Sequence, residues 1–238
     1  MQITKQLLAK SSEHETPYYI VDGVSQGSTV MVTAGIHGTE RAGFLSAKKL
    51  VELLQRDIIH VHSGRLIIIP IVNQIAVRKK IRGVPDLNRT FPKHIFKSAC
   101  HPLSRAVFEL AREHQPVWYV DLHEANGLSG IHPRSLGQTL IVNPRSKAIP
   151  AAKRMIRRLN TSIKKASIHF SLLQRELPGS GRSAAYHLLH SNAITVETGI
   201  GLPLKLRISY QMNILRSILR EAGLLKRRRE SQNSDQLK

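Results

Sequence analysis

Apolar runs closed by turn residues recur along the chain, with helical patterns between them. The runs predict strands at Tyr18 to Val21, Thr29 to Thr33, Leu66 to Ile71, Val117 to Leu122, Thr139 to Val142, Ile168 to Leu173 and Ala193 to Val196. Apolar residues at three- and four-residue spacing predict helices at Arg41 to Gln55, Leu103 to His114, Ile149 to Lys165, Ser183 to His190 and Leu204 to Ala222. Pro203 is well placed to open the last of these, because its missing N–H has no partner to lose at a helix start. Strands that alternate with helices indicate an α/β domain with a central sheet covered on both faces. In such folds ligands gather beyond the carboxyl ends of the strands.

That rule selects a few polar residues. His37 and Glu40 follow the strand at Thr29, His123 ends the run Val117-Trp-Tyr-Val-Asp-Leu-His, and Glu197 ends Ala193-Ile-Thr-Val-Glu. One such group is common by chance; four groups after three separate strands are not. Zinc takes imidazole nitrogen and carboxylate oxygen at about 2.0 to 2.2 Å, and a glycine-bearing turn lets the backbone bring His37 and Glu40 into one shell. With His123 they supply two nitrogens and one carboxylate and leave a fourth position for water, the pattern of a catalytic zinc. Such a zinc lowers the pKa of its water to about 7, and a nearby carboxylate must still carry the proton to the leaving nitrogen. Glu197 is the candidate for that work.

Other residues divide between two readings. Asp121 shares a strand face with His123 and either orients its imidazole or caps a neighbouring loop. Glu124, by the same alternation, points away. In the loop Arg82-Gly-Val-Pro-Asp-Leu-Asn-Arg89, the Asn88-Arg89 pair offers a fork of donors for a carboxylate, with Arg89 as the anchor. Arg82 either reaches the oxyanion that develops on an attacked carbonyl or is a solvated loop charge. His60, His62, His187 and His190 offer no ligand set and are read as structural or solvated.

Length and charge narrow the class. A chain of 238 residues suits one large domain, expected over residues 1–225, followed by a basic polar tail at 226–238 expected to be disordered. The single Cys100 excludes an internal disulfide and fits a reducing compartment. Residues 1–10 lack an apolar core of signal-peptide length, and the run Leu66 to Val72 is too short to span a bilayer. The expectation is a cytoplasmic protein with no membrane partner. Thirty-six Lys and Arg against sixteen Asp and Glu give a formal charge of +20, which attracts anionic small molecules, nucleic acid or anionic polymers. Part of that excess lies between Lys153 and Lys165, where it reads as a solvated helix face ahead of a binding surface. No aromatic residue interleaves with it, which argues against a stacking platform for single-stranded nucleic acid, and the Asn88-Arg89 pair makes a small anionic substrate the expected partner.

The ordered set Gly35-Ile-His-Gly-Thr-Glu40, Asp86-Leu-Asn-Arg-Thr-Phe-Pro92, Asp121-Leu-His123 and Thr195-Val-Glu-Thr-Gly199 resembles the zinc carboxypeptidase superfamily. The branch of succinylglutamate desuccinylase and aspartoacylase is the nearest in pattern. The resemblance implies a single domain built on a mixed sheet of about eight strands flanked by helices, with one zinc ion at the strand ends. It matches His37, Glu40 and His123 to the zinc ligands, Glu197 to the general base, and Asn88 and Arg89 to the pair that holds the substrate carboxylate. Arg82 or Arg78 corresponds to the arginine that polarises the carbonyl. Arg182 and Tyr186 are candidate substrate contacts, weighed against a plain helix packing on the sheet. Fewer than fifty residues follow Glu197, so the carboxyl-terminal domain that narrows the aspartoacylase entrance is expected to be absent.

Three functions follow as expectations. The first is a zinc-dependent amide hydrolase that deacylates a small carboxylate-bearing substrate. The second, a metallocarboxypeptidase trimming peptides such as those of cell walls, shares every motif. The third is a basic nucleic-acid-binding protein on an inactive hydrolase fold, and the complete ligand set counts against it.

Overall fold

The computed structural model describes residues 1–226; the expected tail beyond Lys226 lies outside the described residues. Eight strands form one mixed sheet: β1 (Gln2–Leu8), β2 (Thr16–Asp22), β3 (Ser25–Ala34), β4 (Ser63–Ile69), β5 (Trp118–Ala125), β6 (Thr139–Val142), β7 (Ser171–Gln174) and β8 (Asn192–Gly199). Their spatial order is β1-β2-β4-β3-β5-β8-β6-β7. The central β4, β3, β5 and β8 run parallel; on one side β1 and β2 pair antiparallel with their neighbours, and on the other β6 pairs antiparallel with β8 and parallel with the edge strand β7. Six helices accompany them: α1 (Arg41–Gln55), α2 (Gln74–Lys79), α3 (Pro102–His114), α4 (Ile149–Thr161), α5 (Gly181–Leu189) and α6 (Leu204–Glu221).

Two cores explain why the central strands read as nearly continuous apolar runs. Val30, Val32, Val120 and Ile194 face one way and pack with Leu50 and Leu54 of α1, Met155 of α4 and Ile214 of α6. Met31, Ile67, Tyr119 and Ala193 face the other way, with Leu103 and Val107 of α3 and Ala184 of α5. A parallel strand buried on both faces has no polar side to show. The β3-α1-β4 connection leaves to one side of β3, and β5 adds to the other, so the strand order reverses between β3 and β5. A crevice opens at such a reversal, beyond the strand ends.

Two elements escape the pattern of the sequence. β1 is an edge strand whose side chains are mostly exposed, so backbone pairing with β2 from Gln2↔Asp22 to Leu8↔Thr16 is its main hold, with only Ile3 and Leu8 packing on the cores. α2 has six residues, too few to display a helical period; Asn73 caps it by accepting the Ala76 N–H at 3.0 Å. Near β7 the expected strand starts late, because Ala166–Ile168 forms a 3-10 turn and pairing with β6 begins at Ser171. α4 stops at Thr161 instead of reaching Lys165. No helix among the described residues is long and apolar enough to cross a membrane.

Candidate metal centre and active site

Beyond β3 the chain turns through Gly35, whose φ of +64° is costly for any residue with a Cβ. Gly38 then lies so close to α2 that a Cβ would fall 1.9 Å from the Ala76 carbonyl oxygen, and its N–H donates to the carbonyl of Ile81 at 2.8 Å. This clamped turn carries His37 and Glu40 to the ends of the parallel strands. Glu40 occupies the cap position of α1 but makes no capping bond with its side chain. The carboxylate of Glu124 does that instead, accepting the Ala42 N–H at 2.7 Å and pairing with Arg207. Glu124 thus faces away from His123, as strand alternation requires.

Freed from capping, the Glu40 carboxylate lies between two imidazoles. His37 Nδ1 is 2.6 Å from Oε1 and His123 Nδ1 is 2.7 Å from Oε2. The remaining ring nitrogens meet carboxylates too: His37 Nε2 lies 2.9 Å from Asp86 and His123 Nε2 lies 2.8 Å from Asp121. Asp121 is itself fixed by the Thr33 hydroxyl, which donates to it at 2.8 Å. One donor atom from each of His37, Glu40 and His123 lies within 4.8 Å of the others, and all three residues are buried. Two imidazoles, each backed by a carboxylate and converging on a third, fit the donor set of a divalent metal ion.

The electrostatics agree with that fit. Burial works against the charge on Glu40, but His123 and His37 outweigh it and hold the carboxyl at about 2. Burial alone would lower the His123 pKa; Asp121 and Glu40 instead push it well above the usual imidazole range. Asp86 is likewise held below the carboxylate range, its partial burial outweighed by His37 and Arg82. Ligation needs ionised carboxylate and neutral imidazole, so a metal ion would take the place of the protons that balance this cluster.

His123 and Glu197 are register partners on the parallel strands β5 and β8, so their side chains leave the same face of the sheet. Glu197 is buried, and its Oε2 has no hydrogen-bond partner. Burial is the main reason its pKa is pushed up to about 8; His123 opposes the shift, while Glu40 and Asp121 add to it. A cleft of about 500 Å³ opens over these groups, lined also by Arg82, Arg89, Arg175 and Arg182.

The sequence matches the model of the succinylglutamate desuccinylase/aspartoacylase catalytic domain over residues 26–222. The chain belongs to this family. Among solved structures, the mDAP-bound form of Helicobacter pylori Csd4, a D,L-carboxypeptidase, aligns with a TM-score of 0.72 at 18% identity, covering 83% of this chain and 51% of that one. An aspartoacylase family protein from Mesorhizobium loti aligns at 0.67 and 21% identity, covering 94% and 68%. A succinylglutamate desuccinylase/aspartoacylase from Rhodobacter sphaeroides aligns at 0.67 and 18%, covering 94% and 67%. These likenesses show a shared fold, and the chain spans about half the length of Csd4. No curated protein sequence matches it.

In this desuccinylase/aspartoacylase family member the expected site residues fall into three groups. His37, Glu40, His123 and Glu197 come together, with Arg82, Asn88, Arg89 and Arg182 around them in the cleft. Arg82 holds Asp86 through Nη2 at 3.0 Å and brings Nη1 within 3.6 Å of Glu40, whereas its competitor Arg78 does not line the cleft. Asn88 is engaged at both ends: its Oδ1 accepts the Gly181 N–H at 3.1 Å, and its Nδ2 lies 3.4 Å from His123 Nε2. Arg89 donates to the Asn88 carbonyl at 2.7 Å and remains half-exposed. Arg182 is fully buried and donates to Asn143 and, at 2.9 Å, to the Arg175 carbonyl; burial lowers its pKa to about 10. Tyr186 stands apart. Its hydroxyl donates to the Pro144 carbonyl at 3.2 Å outside the cleft lining, as a helix packed on the sheet would place it.

Two residues of the site went unassigned from sequence. Asp86 belongs to the Asp-Leu-Asn-Arg motif but meets His37 only when the loop folds back across the site. Arg175 directly follows β7, and the strand-end rule would have singled it out. His60 and His187 do have acidic partners, Asp57 at 2.6 Å and Glu176 at 3.0 Å, and neither histidine lines the cleft.

Proposed function

We propose that this protein is a zinc-dependent amide hydrolase that removes an acyl group from a small, carboxylate-bearing substrate. The observation that carries the reading is the buried His37, Glu40 and His123 cluster beside the unpartnered carboxylate oxygen of Glu197. Zinc held by those three residues would supply water activation and carbonyl polarisation. Glu197 takes a proton from the attacking water and gives it to the leaving nitrogen, a task suited by its raised proton affinity. Arg82, at the rim beside Glu40, offers N–H donors to the oxygen that gains charge. Arg89 presents its half-exposed guanidinium to the substrate carboxylate. Asn88 acts through position, tying the start of α5 to His123. The single cysteine, Cys100, is exposed and suits a reducing, cytoplasmic setting.

The fold shared with Csd4 favours a second reading, a carboxypeptidase built on the same residues. A panel of N-acyl amino acids and short peptides, assayed with zinc and with chelator, separates the two. Zinc-dependent release of acidic amino acids from N-acyl substrates supports the deacylase. Release of carboxyl-terminal residues alone would transfer the protein to the second reading, and no zinc-dependent product from any member would overturn both.

Asp86 and Asp121 should hold the imidazoles in place for the metal. Asp86→Ala is expected to weaken zinc binding by about 10- to 100-fold, read by competition with a chromophoric chelator. Wild-type affinity in that variant would show that His37 needs no such support.

A further inference from the structure

Between Phe91 and α3 the chain makes a loop that serves no part of the cleft. The Lys97 N–H donates to the His94 carbonyl at 3.0 Å, which makes residues 94–97 a tight turn with Ile95 and Phe96 at its two central positions. Gly, Asn, Asp and Pro are the residues that such positions favour, each for a backbone reason. Here two large apolar side chains stand in their place, 74% and 97% exposed. The base of the loop is fastened: Cys100 donates to the Thr90 carbonyl at 2.8 Å, Phe91 donates to the Gly179 carbonyl at 3.0 Å, and Ala99 is buried. The tip is therefore held outward by a structured stem.

Charge surrounds the tip on one side of the balance only. Lys93 and Lys97 flank the apolar pair and are exposed. Residues 87–108 contain no Asp or Glu. Ile95 and Phe96 also form one wall of a depression of about 340 Å³ shared with Arg105 and Phe108, where the one acid, Glu109, is paired with Arg112. Adjacent exposed apolar residues rimmed by polar ones mark an interaction site, and a cationic collar selects an anionic occupant.

We propose that this turn is a peripheral membrane contact, with Ile95 and Phe96 entering the interface of an anionic bilayer while Lys93 and Lys97 lie against its phosphate headgroups. Two adjacent, strongly exposed apolar side chains with a basic collar suit a fluid anionic surface, which takes up apolar side chains and pairs its phosphates with the lysines. The contact replaces the expectation of no membrane partner and is compatible with the lack of a membrane-crossing helix among the described residues.

Two variants test it. Phe96→Trp adds a second tryptophan to Trp118, which is buried in the core and serves as the unquenched reference. Vesicles of phosphatidylglycerol with brominated acyl chains should quench the added emission and leave that of the wild type unchanged. Ile95→Ser with Phe96→Ser should reduce co-sedimentation with the same vesicles on the order of tenfold at physiological salt, with an unaltered melting temperature. Absence of quenching under conditions where the protein co-sediments would overturn the proposal, as would equal binding by the double variant, since the net charge alone would then be responsible. A dimer seen by sedimentation velocity and abolished by the double variant, without vesicle binding, would assign the turn to a second copy of the chain and overturn the membrane contact.

Discussion

Glu197→Gln is expected to keep the metal and the fold while lowering kcat by roughly 10²- to 10⁴-fold. The amide has nearly the shape of the acid but cannot take a proton from water. No hydrogen bond to Oε2 is lost, because that atom has no partner in the protein. Nor does the change remove a charge on which the fold depends, since burial already pushes this carboxyl up to about 8. Elemental analysis of zinc, the melting temperature and kcat on the best substrate of the panel together form the test. Full zinc content and an unchanged melting temperature with collapsed kcat is the expected result; wild-type kcat would remove Glu197 from its assigned role.

His123→Ala is expected to abolish stoichiometric metal and to destabilise the protein as well. The imidazole separates two buried carboxylates, Glu40 at 2.7 Å and Asp121 at 2.8 Å, and its removal leaves both without their common partner. Breaking a buried pair in this way costs about 3–5 kcal/mol. His37→Ala should also lose the metal but less stability, because its second carboxylate, Asp86, keeps Arg82 at 3.0 Å and is partly exposed. Chemical denaturation of both variants and of chelated wild type separates the two losses. Equal stability of His123→Ala and the chelated wild type would show that the imidazole balances no buried charge.

The polar residues of the cluster stand out in the sequence for a local reason. A strand buried on both faces is mostly apolar, so titratable residues near its end, such as His123 and Glu197, stand out in a sequence. Alternation along β5 likewise separated Asp121, which shares the His123 face, from Glu124, which caps α1. Where the signal is not local, the reading failed. Asp86 is 49 positions from His37, and nothing in either segment announces their contact. Asn88 reads as a donor in the sequence and lines the cleft in the fold, but its contacts with Gly181 and His123 have no local signal either. β1 lacked a burial pattern because most of its side chains are exposed and it is held mainly by pairing at one edge, with Leu8 and Ile3 alone reaching the cores.

By itself, the sequence determined the alternation of strands and helices and the placing of chemical groups at strand ends, since burial periodicity and chain turns depend on neighbouring residues. Tertiary structure decided which of those groups meet. β3, β5 and β8 lie side by side although they are distant in the chain, and the register His123↔Glu197 puts the imidazole and the carboxylate on one face. A loop returning over the strand ends then adds Asp86 and Arg82 to the cluster. Strand order, register and loop closure are set by packing of the whole domain, and no local propensity records them.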